Sequence, residues 1–299
     1  MQPASELRDL QHGACGQPGA SGQAGSVRTL LTRCSLSLLV ASTLASVAAV
    51  AAPTHPPASC TGTIYLTFDT GSQSQAEFIA QTLKRHGIRA SFFLASEKTV
   101  NADYSLDPSW GAYWKARVAE GHVFGSHTFD HVYVQRDLPD GRIVVKPQFG
   151  ENAGKLLTWT PQQYCDELQR VDLRFLQLTG QKLDPLWRAP GGRLTPNLKA
   201  AGAACGKAHV AWAEAGYSGD ELSSEKVSNA TLLKRALDNL KDGDIFIAHL
   251  GIWSRKDPWA PAVLEPLITG LEARGFCFAT LREHPEYRAK FEQPNPNRH

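Results

Sequence analysis

The stretch Gly125-Ser126-His127-Thr128-Phe129-Asp130-His131 carries two histidines four positions apart, directly after a short apolar segment at residues 122–125. On a helix or in a tight turn, this spacing lets both imidazoles approach one ion from the same side, and a divalent-metal site can be built in this way. The pair alone is weak evidence, because two histidines this close are more often ordinary surface or core residues. Its meaning therefore depends on the motifs found elsewhere in the chain.

Three further stretches share one arrangement, in which an apolar run ends in a polar, reactive side chain. They are Tyr65-Leu66-Thr67-Phe68-Asp69-Thr70-Gly71, Trp187-Arg188-Ala189-Pro190-Gly191-Gly192 and Ile245-Phe246-Ile247-Ala248-His249. In a parallel sheet the carboxyl ends of the strands meet at one edge, so we expect these end groups and the paired histidines at a common site. The end groups that we select are Asp69, His127, Arg188 and His249.

Short apolar segments alternate with helical patterns from residue 60 to residue 280. Strands are predicted at residues 63–68, 90–95, 122–125, 186–189, 209–213, 245–249 and 276–280, and helices at residues 75–86, 110–120, 160–180, 197–204, 228–240 and 260–274. This alternation predicts an α/β fold with a parallel sheet. For a single core of this length, a closed or nearly closed barrel is favoured over an open sheet.

The alternation breaks at residues 132–159, where Leu138-Pro139-Asp140-Gly141-Arg142 predicts a hairpin turn between two β segments. A long insertion directly after a candidate site is typical of a rim or lid. We therefore expect a short linker, then one domain that contains this insertion, then a polar tail. The expected boundaries are residues 52–59 for the linker, 60–285 for the domain, 132–159 for the insertion and 286–299 for the tail.

Residues 1–51 have the pattern of an n-region and a secretory signal peptide. Arg28 and Arg33 precede an apolar run at residues 35–51, which ends in Ala49-Val50-Ala51. We predict cleavage after Ala51, export to the periplasm or the exterior, and no stable membrane span after cleavage. The alternative is an uncleaved anchor, because the run is near the lower length limit for spanning a bilayer.

Four cysteines follow the predicted cleavage site, and they permit two disulfides in three possible connectivities. They are Cys60, Cys165, Cys205 and Cys277. A zinc site is the poorer interpretation, because none of them forms a close pair in the sequence. A bond from Cys60 to Cys277 would clasp the two ends of the domain, and we expect that pairing, with Cys165 to Cys205 as its complement.

The charge balance and the missing motifs exclude other classes of protein. The formal net charge is only +2, so the chain lacks the basic surplus of a protein that follows nucleic-acid phosphates. No G-x-G-x-x-G follows the first predicted strand and the chain has no C-x-x-C, which disfavours a dinucleotide-binding or redox protein. We expect no nucleic-acid partner.

Taken together and in this order, the motifs resemble the polysaccharide deacetylases of the NodB-homology family, which are carbohydrate esterases. The resemblance covers about residues 60–282. It implies a single-domain distorted (β/α)7 barrel, here preceded by a signal peptide, that removes N- or O-acetyl groups from chitin, peptidoglycan or xylan. It also implies a divalent metal, with zinc expected and cobalt or manganese as alternatives. The polymer, the acyl group and the oligomeric state do not follow from it.

The resemblance assigns roles to the first three motifs. In Thr67-Phe68-Asp69-Thr70-Gly71, the residue Asp69 corresponds to the general base that activates water. The imidazoles of His127 and His131 correspond to metal ligands. Arg188 corresponds to an arginine that pairs with the base and orients it.

The remaining motifs imply the group that protonates the leaving amine. His249 corresponds to the general acid, and Asp220, in a poorly matching stretch at residues 212–220, would hold the pKa of His249 near neutrality. The amide of the residue after the second histidine, or of a neighbouring loop, would bind the oxyanion. Trp253 and Trp259 flank the loop after His249, where aromatic faces suit sugar rings or cover the barrel mouth.

One position departs from the family pattern. The second Asp of the first motif, normally a third protein ligand of the metal, is Thr70 here, and a hydroxyl is a weak, neutral ligand. Metal affinity should therefore fall. Three outcomes stay open: water or another oxygen, such as Asp130 or Asp220, completes the metal shell; the site works without tight metal; or the protein is a catalytically idle glycan-binding module.

Overall fold

The computed structural model describes residues 60–292, so the predicted signal peptide, its cleavage site and the linker lie outside the described residues. Within them the chain forms ten β-strands and seven α-helices. The strands are β1 (Gly62–Asp69), β2 (Ser91–Leu94), β3 (Val123–Ser126), β4 (Val132–Asp137), β5 (Ile143–Pro147), β6 (Leu157–Trp159), β7 (Leu186–Trp187), β8 (Ala208–His209), β9 (Ile245–His249) and β10 (Phe276–Phe278). The helices are α1 (Ala76–Arg85), α2 (Gly111–Ala119), α3 (Pro161–Thr179), α4 (Pro196–Ala204), α5 (Asn229–Asn239), α6 (Trp259–Ala273) and α7 (Arg288–Glu292).

Seven parallel strands form the central sheet. Its order is β10-β1-β2-β3-β7-β8, and β9 pairs with β1 along Tyr65 to Asp69. Irregular backbone closes the barrel between β8 and β9. The amide of Ala213 donates to Ile245 O (3.1 Å), and the amide of Ser218 donates to Ile247 O (3.2 Å). The strand predicted at residues 209–213 is shorter than expected, because β8 covers only Ala208–His209 and irregular backbone follows it. The distorted α/β barrel that the sequence predicted is confirmed, with the strands and helices in the expected chain order.

The alternation of side chains along β1 explains where the site lies. Ile64, Leu66 and Phe68 pack in the main hydrophobic core with residues of α1 and α6. Tyr65 belongs instead to a smaller cluster with Phe93 and Leu186 of the neighbouring strands. Because successive side chains of a strand point to opposite faces, the last residue of β1 shares the face of Tyr65. The last residue is Asp69, whose carboxylate therefore lies at the carboxyl end of β1.

The insertion at residues 132–159 forms its own antiparallel sheet, in the order β4-β5-β6. Its apolar face, which includes Val134 and Val145, packs against Tyr164 and Leu168 of α3 in a separate hydrophobic cluster. The predicted hairpin is confirmed, and a third strand, which we did not predict, joins it. The insertion is a packed rim with its own core rather than a lid that rests loosely on the domain.

Both expected disulfides are present. Cys60 bonds to Cys277 and Cys165 bonds to Cys205, with sequence separations of 217 and 40 residues. The first joins the start of the barrel to β10, and the second joins α3 to the end of α4. The two pairings that we selected from three possible connectivities are confirmed.

Packing continues past residue 285, where we expected the polar tail to begin. Tyr287 is 4% exposed and lies in the cluster that contains Tyr65 and Phe93, and α7 follows it. The boundary was placed too early because this aromatic residue stands among charged ones, which hides its burial in the sequence. Of the helices in residues 60–292, none is both long enough and apolar enough to cross a bilayer.

Candidate active site

A cavity of about 370 Å³ opens at the carboxyl ends of the barrel strands. Its polar lining brings together most of the residues selected from the sequence. These are Asp69 and Thr70 after β1, His127 and His131 after β3, and His249 at the end of β9. Parallel strands place their carboxyl ends at one edge, which is why motifs so far apart in the chain meet here.

Arg188 is fully buried and holds Asp69 in place. Its Nη1 donates to Asp69 Oδ1 (2.6 Å) and its Nη2 to Thr67 Oγ1 (2.9 Å), while its guanidinium lies 4.1 Å from the ring centre of Phe93. Burial lowers the pKa of Arg188, and the carboxylate of Asp69 opposes that change. The pair therefore has a fixed geometry, because every side of the guanidinium meets a partner.

His127 has the orientation that a metal ligand needs. Its Nδ1 lies 3.0 Å from the carbonyl of Arg188, which can only accept, so the proton sits on Nδ1 and Nε2 keeps its lone pair. That Nε2 is 3.5 Å from Asp69 Oδ2. Burial and the nearby His131 lower the pKa of His127 well below its usual value. The imidazole is therefore neutral, and its ring centre is 4.9 Å from that of His131.

The segment from His127 to His131 adopts an unusual backbone. Thr128 has φ of 62° and His131 has φ of 48°, a left-handed conformation that is rare in residues other than glycine. The Thr128 hydroxyl supports the turn by accepting a hydrogen bond from the amide of Val132 (2.7 Å). Our expectation that the amide after the second histidine would bind an oxyanion is therefore wrong for this amide, because it already has an acceptor.

Helix α3 anchors the same segment from behind. The amide of Asp130 donates to Glu167 Oε1 (2.5 Å), and Arg170 Nη1 donates to Asp130 Oδ2 (2.8 Å). Burial raises the pKa of Glu167. Because Asp130 pairs with Arg170 outside the cavity lining, it is not the oxygen that completes a metal shell, which was one of the outcomes left open.

The carboxylate of Asp220 binds both the backbone amide and the imidazole of His249. The His249 amide donates to Asp220 Oδ2 (2.7 Å), and His249 Nδ1 lies 3.0 Å from Asp220 Oδ1. Burial alone would lower the pKa of His249, but the carboxylates of Asp220, Asp69 and Glu221 raise it to about 10. We expected a value near neutrality. It is higher because several carboxylates, rather than one, face the imidazole, so His249 is protonated at neutral pH.

The cavity contains two carboxylates that the sequence analysis missed. Glu97 accepts a hydrogen bond from the Thr70 hydroxyl (2.7 Å), and Glu221 Oε1 lies 3.2 Å from His249 Nε2. Glu97 stands three residues after β2, a position that resembles the other selected residues, so the rule of reactive groups at strand ends could have found it. Glu221 directly follows Asp220, which we did select.

Aromatic side chains and glycines shape the cavity wall. Gly192 has φ of 65°, and a Cβ atom there would lie 2.4 Å from the ring of Trp212, so only glycine allows this close approach. Trp253 lines the cavity and is 62% exposed. Trp259, in contrast, is 4% exposed and stacks on Phe246, so it belongs to the core rather than to the barrel mouth.

The donor groups fit a divalent cation in part. His127 and His131 offer two neighbouring imidazoles, which are typical ligands of zinc and of other transition metals. The hydroxyl of Thr70 accepts from the amide of Ala95 (2.9 Å) and donates to Glu97, so its proton and one lone pair are engaged. In the part of the chain that is described, no three His, Cys, Asp or Glu side chains already form a complete ligand cluster.

Comparison with known sequences finds a family and distant relatives. A family model described as polysaccharide deacetylase matches residues 58–210, about half of the chain. The chain is 25% identical over 224 residues to the peptidoglycan-N-acetylmuramic acid deacetylase of Bacillus subtilis, a match that covers 73% of the chain and 70% of that protein. It is 21% identical over 218 residues to the bifunctional xylanase/xylan deacetylase of Cellvibrio japonicus. The second match covers 73% of the chain but only 27% of the larger protein.

Two solved structures share the fold. One is a family 4 acetyl xylan esterase from Clostridium thermocellum in complex with a cobalt ion, with a TM-score of 0.56, 18% identity, and coverage of 76% of this chain and 91% of that one. The other is a family 4 carbohydrate esterase pseudoenzyme from Bacillus anthracis, with a TM-score of 0.54, 18% identity, and coverage of 77% and 66%. The barrel described above is therefore a fold that both an esterase and a pseudoenzyme have.

Proposed function

Because the chain belongs to the polysaccharide deacetylase family, we propose that it is an exported hydrolase that removes N- or O-acetyl groups from a glycan. The substrate class is chitin-, peptidoglycan- or xylan-like, and the reaction is metal-assisted general acid and base catalysis. For an N-acetyl group, the bond broken is a carbon–nitrogen bond outside any peptide. One observation carries the proposal: Asp69, two adjacent imidazoles and His249 line one cavity, and the buried Arg188 and Asp220 hold Asp69 and His249 from behind.

The residues on one side of the cavity suit the attack of water on the acetyl carbonyl. A divalent cation held by His127 and His131 would lower the pKa of water and polarise the carbonyl. Asp69 is the general base, and its Oδ2 is the oxygen left for a proton, because Oδ1 is bound by Arg188. Arg188 cannot rotate away, since it is fully buried among its partners.

The residues at the end of β9 suit departure of the amine or alcohol. His249 is protonated at neutral pH, so it can give its Nε2 proton to the leaving atom. Asp220 accepts from Nδ1 and stabilises the imidazolium, which keeps the ring in one orientation. Asp69, the base, and His249, the acid, are paired residues on the neighbouring strands β1 and β9.

The cavity wall supports a sugar as the ligand. Tyr133, Trp212 and Trp253 line it, and aromatic faces suit the apolar faces of pyranose rings. The relatives named above act, according to their names, on peptidoglycan and on xylan. We propose the same broad class for this chain, because an open cavity with aromatic walls can accept one residue of a polymer. Such a substrate lies outside the cytoplasm, in agreement with the predicted export.

The alternative function is a glycan-binding module of the same fold without activity. It is favoured by Thr70, which replaces the usual metal-binding Asp, and by the fold shared with a pseudoenzyme. Against it stands the retention of five side chains that an idle site does not need. They are Asp69, His127, His131, Arg188 and His249.

The two functions differ in acetate release. The protein is incubated with acetylated chitooligosaccharide, peptidoglycan and acetylxylan, with and without chelator, and then with added zinc, cobalt or manganese. We expect acetate from at least one substrate, loss of release with chelator, and recovery with one of the metals. Glycan binding without acetate release under any of these conditions would establish the idle module instead.

A further inference from the structure

Three carboxylates line the cavity, and they differ in their partners. Asp69 pairs with Arg188, and Glu221 pairs with His249. Glu97 is half-buried, and its carboxylate accepts a hydrogen bond from the neutral hydroxyl of Thr70 (2.7 Å). Within residues 60–292 no lysine, arginine or histidine forms an ion pair with it. Partial burial of a carboxylate without a cationic partner costs free energy, and a bound cation would offset that cost.

The loop after β2 holds Glu97 in a defined place. The amide of Glu97 donates to Ser105 Oγ (3.0 Å), whose hydroxyl donates to the carbonyl of Ala95 (2.6 Å). The amide of Ser105 donates back to Glu97 O (2.8 Å). The amide and the carbonyl of Glu97 are therefore both hydrogen-bonded to Ser105. These backbone bonds fix the direction in which the Glu97 side chain points.

The same loop is joined directly to the segment that carries the two histidines. The amide of Ser96 donates to the carbonyl of Phe129 (2.7 Å), which lies midway between His127 and His131. Glu97 thus lines the same cavity as both imidazoles and is bonded to Thr70.

We propose that Glu97 supplies the third protein ligand of the divalent cation at His127 and His131, in place of the carboxylate that Thr70 lacks. The inference rests on the proposed metal-assisted function. Thr70 acts as a positioning residue: its hydroxyl accepts from the amide of Ala95 and donates to Glu97 Oε1, which fixes the carboxylate beside the cavity. Because Thr70 binds Oε1, the other carboxylate oxygen of Glu97 would bind the ion.

The chemistry of this set matches a known type of site. Two imidazoles and one carboxylate, with a further position open to water, form one of the known ligand sets of catalytic zinc. A glutamate has one more methylene group than the missing aspartate, so it can reach the same ion from a neighbouring loop. The carboxylate would also restore the unit of negative charge that the threonine removes.

The test measures metal binding rather than turnover. Metal-free protein, prepared with chelator and then freed of it, is titrated calorimetrically with zinc. We expect the dissociation constant of Glu97→Gln to rise by about 100-fold, since even residues beyond the ligands typically change metal affinity by about 10- to 100-fold. The matched control is Glu221→Gln, which removes the same charge from the same cavity but from the side of His249, and it should bind zinc almost as the native protein does.

A second variant keeps the test valid if Glu97→Gln is unstable. Thr70→Asp combined with Glu97→Gln returns the carboxylate to the first motif, and we expect it to recover most of the lost affinity. Thermal melting of the metal-free proteins shows whether each variant is folded. If the native protein binds zinc tightly and Glu97→Gln binds it equally well, the inference is wrong although the proposed function stands. If the native protein binds no divalent metal, metal-assisted hydrolysis and this inference are both overturned.

Discussion

At the scale of single residues, Asp69 has both a structural and a proposed catalytic role. One oxygen binds the buried Arg188 and the other faces His127, so its position is determined on both sides. Loss of either partner of the Asp69–Arg188 ion pair would destabilise the fold, because it would leave an uncompensated buried charge. Function and stability therefore depend on the same carboxylate.

Asp69→Asn should abolish acetate release and also destabilise the protein. Asparagine cannot take a proton from water, and it leaves Arg188 buried without a counter-charge, which costs about 3–5 kcal/mol. Chemical denaturation and acetate release measure the two effects separately. Acetate release at the native rate would show that the base is another residue.

The charge of His249 is a second property that individual residues set. Three carboxylates raise its pKa to about 10, with Asp220 contributing most of the increase. A raised pKa means that the His249 ion pair stabilises the fold fully below the ordinary histidine pKa of about 6.5. That contribution is lost as pH rises through about 10.

Asp220→Asn should move the titration of His249 to lower pH, because the nearest negative charge is removed. NMR titration of the imidazole in metal-free protein measures the pKa directly. In activity assays, the fall of kcat/KM on the alkaline side should begin at lower pH than in the native protein. An unchanged titration curve would mean that Glu221 or Asp69, and not Asp220, sets the charge of His249.

At the scale of elements, the loops after the strands carry the site, and helices fix the loops. The clearest case is the segment from His127 to His131, whose left-handed residues are held by its own hydrogen bonds and by α3. Glu167 of α3 is 4% exposed and accepts the amide of Asp130. The distance between the two imidazoles thus depends on a residue that does not line the cavity.

Glu167→Leu should weaken zinc binding by about tenfold, the lower end of the range for residues that support metal ligands. The leucine has a similar size but leaves the Asp130 amide without its acceptor, which costs about 1–3 kcal/mol of stability. Glu167→Gln keeps an acceptor oxygen and serves as the matched control, with a smaller loss. Calorimetric titration and denaturation measure both effects. Native affinity in Glu167→Leu would show that the segment keeps its shape without α3.

At the scale of the whole molecule, two disulfides close the domain away from the cavity. The bond between Cys60 and Cys277 spans 217 residues and joins the first and last strands of the sheet. The bond between Cys165 and Cys205 spans 40 residues and joins two helices. None of these cysteines lines the cavity. Their contribution should therefore appear in stability rather than in catalysis.

Replacing Cys60 and Cys277 with serine should cost about 5 kcal/mol, and replacing Cys165 and Cys205 about 4 kcal/mol, because longer closed loops restrict the unfolded chain more. Guanidinium unfolding of the two double variants measures the difference. Acetate release at low temperature should be close to native in both. A larger loss from the Cys165 and Cys205 variant would show that α3 and α4 depend on their bond in the folded state.

The order of strands and helices could be predicted closely, because periodic apolar residues and capping signals are local. The helix predicted at residues 160–180 is α3, which begins at a capping box formed by Thr160 and Gln163. The strand predicted at residues 209–213 was too long, because the backbone after β8 is irregular where it bonds to β9. The end of the domain was placed too early for a similar reason, since the burial of Tyr287 depends on distant strands.

The sequence by itself determined the family, the barrel and which side chains end the strands, because each of these depends on short stretches of adjacent residues. The tertiary structure alone decided how those side chains are paired. It joined Thr70 to Glu97, turned Asp130 toward Arg170, and surrounded His249 with three carboxylates. Such pairings depend on which loops meet at the barrel mouth, and the distances between loops are set by packing of the whole core rather than by any single motif.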